Sequence, residues 1–147
     1  MQGYPHHYLA SATGGEEGSV VVSGEGLPDL DTQSPPQFGG PEGVWSPETM
    51  ISATVANCFI LSFRAIARAS KFEWISLECN VDGVLDRPER STYFTAFSIH
   101  AVLRVPEGAR AELAQRLLEK SEQICLITAS LKSEITLTTD IQVEESA

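Results

Sequence analysis

The sequence predicts an α+β fold in which a mainly antiparallel sheet packs around one long central helix. Three observations predict it. Short strand-like stretches bounded by glycine fill the first third of the chain; a capped, strongly apolar run follows over 46–70; two alternating stretches, an amphipathic helix and a last alternating stretch complete it. At 147 residues the chain fits a single domain, 1–147.

Taken in order, residues 1–45 read as strands and loop. Residues 4–13 suggest one strand and 19–23 a second, joined through Gly14-Gly15-Glu16-Glu17-Gly18, whose glycines suit a tight turn. Residues 24–45 are rich in Gly and Pro and read as loop with room for one short strand. Ser46-Pro47-Glu48-Thr49 then starts a helix: Ser46 caps, Pro47 suits the first helical position, and Glu48 meets the positive end of the dipole. Its apolar residues, Met50, Ile51, Val55, Phe59, Ile60, Leu61, Phe63 and Ile66, cover most of the circumference. Such a helix is buried on all sides, and a chain this small needs a partner subunit to do that.

A hairpin is expected over 73–105. Ile75, Leu77, Cys79 and Val81 alternate with polar residues on its first strand; Tyr93, Thr95, Phe97, Ile99, Ala101, Leu103 and Val105 alternate with Ser98, His100 and Arg104 on its second. Residues 109–131 form a helical segment with Leu113, Leu117 and Leu118 inward and a Glu112–Arg116 ion pair on the wet face, and Cys125 falls at its end. The last strand, 133–143, sets Ile135, Leu137, Thr139, Ile141 and Val143 on one face, and the tail 144–147 is expected to fray.

Composition narrows the function. Apolar content of 42% and charged content of 20% fit a soluble globular protein. Twenty acidic against ten basic side chains give a formal charge of −10, which repels nucleic acid and anionic membrane where no basic cluster exists. The run 50–69 approaches a membrane span in length, but Asn57, Ser62, Arg64 and Arg68 argue for a buried helix instead. The N-terminus reads as lacking a signal peptide, and three cysteines do not suit a structural disulfide framework. A reducing cytoplasm is the expected setting.

Two motifs carry a resemblance. The run from Ser46-Pro47-Glu48-Thr49-Met50 to Ala56-Asn57-Cys58-Phe59 resembles the Asn-Pro-Glu-x-Leu/Phe…Ala-Cys-Phe helix of the OsmC/Ohr family, with matching spacing to the cysteine. Cys125-Leu126-Ile127-Thr128-Ala129-Ser130-Leu131-Lys132-Ser133-Glu134-Ile135 resembles that family's Cys-Pro-x-Ser-x-x-Leu-Lys-x-Glu-Val segment. The resemblance covers the last two-thirds of the chain. It implies an intertwined homodimer, with 1–45 exchanged between subunits, and a thiol peroxidase acting on organic hydroperoxides. In that family Cys58 would attack the O–O bond and become a sulfenic acid, and Cys125 would condense with it. An external dithiol, a lipoylated protein in the family, would reduce the disulfide. No metal or organic cofactor is implied.

The resemblance also makes Glu48 an active-site carboxylate that holds an arginine. Ten residues of helix rise about 15 Å, so Glu48 of the partner's antiparallel helix is expected to serve Cys58. The chain departs from the family at the arginine itself: the two places where the family keeps it read Glu16-Glu17 and Gln37 here. Proline is also absent after the second cysteine, where Leu126 stands. A mid-helix thiol among apolar neighbours, with no cation and no helix N-terminus, is expected to stay protonated. Arg64, His100, Arg104 and the His6-His7 pair read as solvated or structural rather than as substitutes, and no ligand spacing supports zinc. Cys79 alternates inward with Leu77 and Val81 and reads as core. The alternative to a peroxidase is an OsmC-like dimer that binds a small apolar or thiol ligand at the subunit interface.

Overall fold

Sequence punctuation sets the N-terminal strands. In the computed structural model, which describes residues 1–145, they are β1 (Ser11–Thr13), β2 (Val20–Ser23) and β3 (Leu30–Thr32), all antiparallel in the order β1-β2-β3. The strand expected over 4–13 keeps only its last three residues, because β2 offers only Ser23, Val22 and Val21 as partners for Ser11, Ala12 and Thr13. β3 is the short strand for which 24–45 left room; a 3-10 turn, Pro36–Phe38, follows it. These elements belong to a first compact unit, Met1–Met50.

Helix α1 (Pro47–Ala69) starts where its cap predicts. The Thr49 N–H donates to Ser46 Oγ (3.1 Å) and the Ser46 N–H donates to Thr49 Oγ1 (3.0 Å), a reciprocal box that satisfies two donors the helix start leaves free.

The second compact unit runs from Ile51 onward. It contains β4 (Ser76–Asp86), β5 (Tyr93–Pro106), α2 (Ala111–Ile124), α3 (Leu126–Ala129) and β6 (Glu134–Glu144). β4 and β5 form the expected antiparallel hairpin, with a register shift between Val84 and Leu85. β6 lies on the far side of β5 and runs parallel to it, so the sheet order is β4-β5-β6. Residues 107–133, with α2 and α3, form the crossover that a parallel pair requires.

Val55, Phe59, Phe63, Ile66 and Ala67 of α1 join Phe97, Ile99, Ala101, Leu103 and Val105 of β5 and Ala114, Leu117 and Leu118 of α2 in one core. By length and composition α1 could cross a membrane, but this packed stripe makes it a core helix. The expected burial on all sides does not hold within one chain: Leu61 is 50% exposed and Ile60 half-buried, because the core takes up one face only. Gly83 is a point of close approach between helix and sheet. A Cβ there would lie 2.6 Å from Ser52 Oγ and 2.7 Å from Phe97 Cε1, so only glycine fits without displacement.

Two local expectations change. Glu112 and Arg116 are both exposed, and an ion pair forms instead between Arg104 and Glu144 (3.5 Å) on the neighbouring strands β5 and β6. On α2 the i,i+4 contact is Gln115 Nε2 donating to Glu119 Oε1 (3.0 Å), three residues along from the expected pair. β6 ends at Glu144, and residues 146 and 147 of the expected frayed tail lie outside the described residues.

Candidate functional site

Cys58 sits midway along α1, one residue before buried Phe59, and is half-buried. Cys125 lies far along the chain in the β5–β6 crossover. It is the residue between α2 and α3, extended at φ −61°, ψ 117°, and 1% exposed. The fold brings the two together, close enough that each shifts the other's titration, and both are free thiols.

Short helix α3 supplies the rest of the site. The first N–H groups of a helix have no acceptor inside it, and those of Leu126 and Ile127 lie near enough to Cys58 to lower its pKa. Thr128 Oγ1 donates to the Cys125 carbonyl (3.3 Å) and the Ala129 N–H donates to the same oxygen (3.1 Å), which hold the turn that aims these N–H groups. Across the thiol, Ser62, one helical turn beyond Cys58, places its Oγ 3.9 Å from Sγ.

These contacts act against burial at the Cys58 thiol. Burial is the largest single influence and pushes its pKa up. The hydrogen bonds from Cys125, the Ile127 N–H, Ser62 and the Leu126 N–H together outweigh burial and hold it below the ordinary thiol value. None of these donors is a cation. A helix N-terminus does act on Cys58, but it belongs to α3 and not to α1, a juxtaposition that only tertiary docking creates. Cys125 moves the other way. Burial raises its pKa, the N–H and hydroxyl of Thr128 oppose that, and the neighbouring Cys58 raises it further. As pH rises the pair therefore loses its first proton from Cys58, leaving a thiolate beside a protonated thiol.

Cys79 is partly buried against the core, as expected. Burial, and then the charge on Cys125, push its pKa up to about 11, so it is protonated at neutral pH. The basic residues named as substitutes for an arginine are engaged or exposed elsewhere. His100 Nδ1 pairs with Thr138 Oγ1 (2.9 Å), Arg104 with Glu144, and Arg64 is exposed. In the first unit, His6 bonds the Tyr8 hydroxyl (3.0 Å) and the Gln2 carbonyl (2.8 Å). No group of three or more metal-ligating side chains occurs among the described residues.

Glu48, at the second position of α1, is half-buried, and its Oε1 is buried with no hydrogen-bond partner among the described residues. It belongs to the first unit and the thiol pair to the second. Exposed apolar side chains flank the thiols: Leu126 is 73% exposed and Ile124 44% exposed, on either side of Cys125, and Leu61 lies three residues beyond Cys58.

Comparison with known proteins places the chain in a family and supports its fold. The family described as OsmC-like protein matches residues 40–140, a span that contains both cysteines and Glu48. The organic hydroperoxide resistance protein of Xanthomonas axonopodis pv. citri is 33% identical over 135 residues, 88% of this chain and 89% of that one. Peroxiredoxin OsmC of Escherichia coli is 28% identical over 101 residues, 69% of each chain. An OsmC-like protein of unknown function from Vibrio cholerae shares the fold with a TM-score of 0.82 at 16% identity, over 92% of this chain and 99% of that one. The chain belongs to the OsmC-like protein family.

Proposed function

We propose that the protein is a thiol peroxidase that reduces organic hydroperoxides through a Cys58–Cys125 cycle. The observation that carries this reading is the pair of adjacent free thiols, in which Cys58 is the more acidic partner and the more accessible one. Relatives named for organic hydroperoxide resistance and as a peroxiredoxin support it. The Cys58 thiolate attacks the distal peroxide oxygen; the O–O bond breaks, sulfur is oxidised to sulfenic acid, and the alkoxide leaves. Cys125, which still holds its proton, supplies it to the alkoxide, giving the alcohol. The Cys125 thiolate then attacks the Cys58 sulfur, forming the disulfide and releasing hydroxide. An external dithiol, of the kind a lipoylated protein carries, returns both thiols and takes the oxidation. Leu61, Ile124 and Leu126 give the approach an apolar character suited to alkyl hydroperoxides.

We assign the working unit to a homodimer of single-domain chains in a reducing cytoplasm. The exposed apolar side of α1 would face the partner, and Glu48 would complete the partner's site. The dimer is supported by Leu61 and Ile60, which the core of one chain does not cover, and by the buried, unpartnered oxygen of Glu48.

Reduced protein mixed with equimolar cumene hydroperoxide should lose two thiols per chain within seconds and gain an intramolecular Cys58–Cys125 disulfide, read by peptide mass spectrometry. Thiols that survive for many minutes overturn the reading. One observation favours a second: Glu16, Glu17 and Gln37 occupy the places where the resemblance expects an arginine. Under it, the protein is a non-peroxidatic dimer that binds a small apolar or thiol ligand at the same pair, and thiol survival in this assay selects that reading.

A further inference from the structure

We infer that Ser62 is a positioning residue of the Cys58 site, its hydroxyl donating to the Cys58 sulfur from one helical turn away and fixing the thiolate for attack. The inference deepens the peroxidase reading and rests on it for its role in turnover. Its physical basis is the geometry of α1 alone. Residues four apart on a helix are neighbours, so the Ser62 side chain lies over the thiol. A mid-helix serine ordinarily returns its hydroxyl to the carbonyl four residues back. Here the partner of the hydroxyl is the Cys58 sulfur at 3.9 Å, the one hydrogen-bond contact the Ser62 side chain makes among the described residues. Ser121, in the same relation to Leu117 on α2, makes the ordinary bond, Oγ to the Leu117 carbonyl at 2.6 Å. Ser62 is thus left free for the thiol where a comparable serine in this chain is not.

The contribution matters because, among the described residues, none of the groups that lower the Cys58 pKa is a cation. The donors that face it are the N–H groups of Leu126 and Ile127 and the thiol of Cys125 from the α2–α3 junction, together with Ser62 from its own helix. β4 brings Cys79 close enough to Cys125 to feel its charge, and Cys79 is itself protonated at neutral pH. Among these donors Ser62 is the one hydroxyl, and it can be deleted without touching the backbone or the second thiol. A hydrogen bond to an ionised group is stronger than one to a neutral group, so the 3.9 Å contact tightens as Cys58 loses its proton.

The test is alkylation of the full-length reduced protein by iodoacetamide as a function of pH, with modification at Cys58 followed by peptide mass spectrometry. Ser62→Ala should move the Cys58 midpoint to higher pH and slow its alkylation at pH 7 by about five- to tenfold. The plateau rate at high pH and the Cys79 profile should be unchanged. Ser62→Thr, which keeps the hydroxyl, should restore the wild-type midpoint. A Ser62→Ala profile that superimposes on wild type overturns the inference. So does a fall in rate at every pH with the midpoint unmoved, which would mark a packing role. Alanine favours the helix, so loss of folding does not obscure the result. Parallel oxidation by cumene hydroperoxide separates the two claims: a shifted alkylation midpoint with no peroxide reaction retains Ser62 and removes the peroxidase reading.

Discussion

Replacing Cys58 by Ser should lower hydroperoxide consumption by at least about a thousandfold, because the attacking thiolate has no substitute in the chain. Cys79 cannot replace it: burial holds that thiol protonated at neutral pH, with its pKa pushed up to about 11. Cys125 cannot either, since it is 1% exposed and its pKa is raised. Cys125→Ser should behave differently. Without added reductant its Cys58 oxidises once, stops at the sulfenic acid and becomes trappable with dimedone, and no intramolecular disulfide forms. Peroxide loss by a ferrous-xylenol-orange assay, with dimedone adducts read by mass spectrometry, distinguishes the two variants. Wild-type consumption by Cys58→Ser would refute the assignment of the nucleophile. Dimedone-reactive Cys58 at equal yield in wild type and Cys125→Ser would refute the resolving role.

The largest expected loss of stability comes from Phe97→Ala, about 3–5 kcal/mol. Phe97 is fully buried on β5, packs its ring on Phe94 (centroids 5.2 Å apart) and fills the space that Gly83 leaves beside α1. Removing it takes apolar surface out of the centre of the core and leaves a cavity that glycine cannot refill. Urea unfolding at fixed protein concentration measures the change, and a loss below about 1 kcal/mol would mean that α1 and the sheet collapse to fill the gap. Because α1 carries Cys58 and packs in the core that includes Phe97, such collapse would also show as altered Cys58 alkylation.

Local chemistry made much of the fold legible. Ser46-Pro47-Glu48-Thr49 announces α1 because capping depends on four adjacent residues, and the alternation in β4 and β5 depends only on each strand's own neighbours. What needed distant partners did not show. Residues 4–10 have extended character but no strand to pair with beyond the reach of β2. The alternation over β6 reads the same for either strand direction, so its parallel run beside β5 was invisible. The same division holds at the site. Two motif cysteines could be picked out, and Ser62 was open to recognition as the i+4 neighbour of Cys58. The Leu126 and Ile127 N–H groups could not be anticipated, since they reach Cys58 only through the docking of the crossover.

That crossover has a consequence for the order of events in the life of the chain. Cys125 is carried on the β5–β6 connection, whereas Cys79 stands on β4, only about a third as far from Cys58 in sequence. In an unfolded chain the shorter loop closes more easily, by about 1 kcal/mol, so an oxidant met early links Cys58 to Cys79 in preference to Cys125. Folding reverses this order by burying Cys79 as a protonated thiol and delivering Cys125 to Cys58. The ratio of the two disulfides therefore carries a record of timing: Cys58–Cys125 dominates when a finished molecule is oxidised, and a Cys58–Cys79 bond marks a chain that met the oxidant before it had folded.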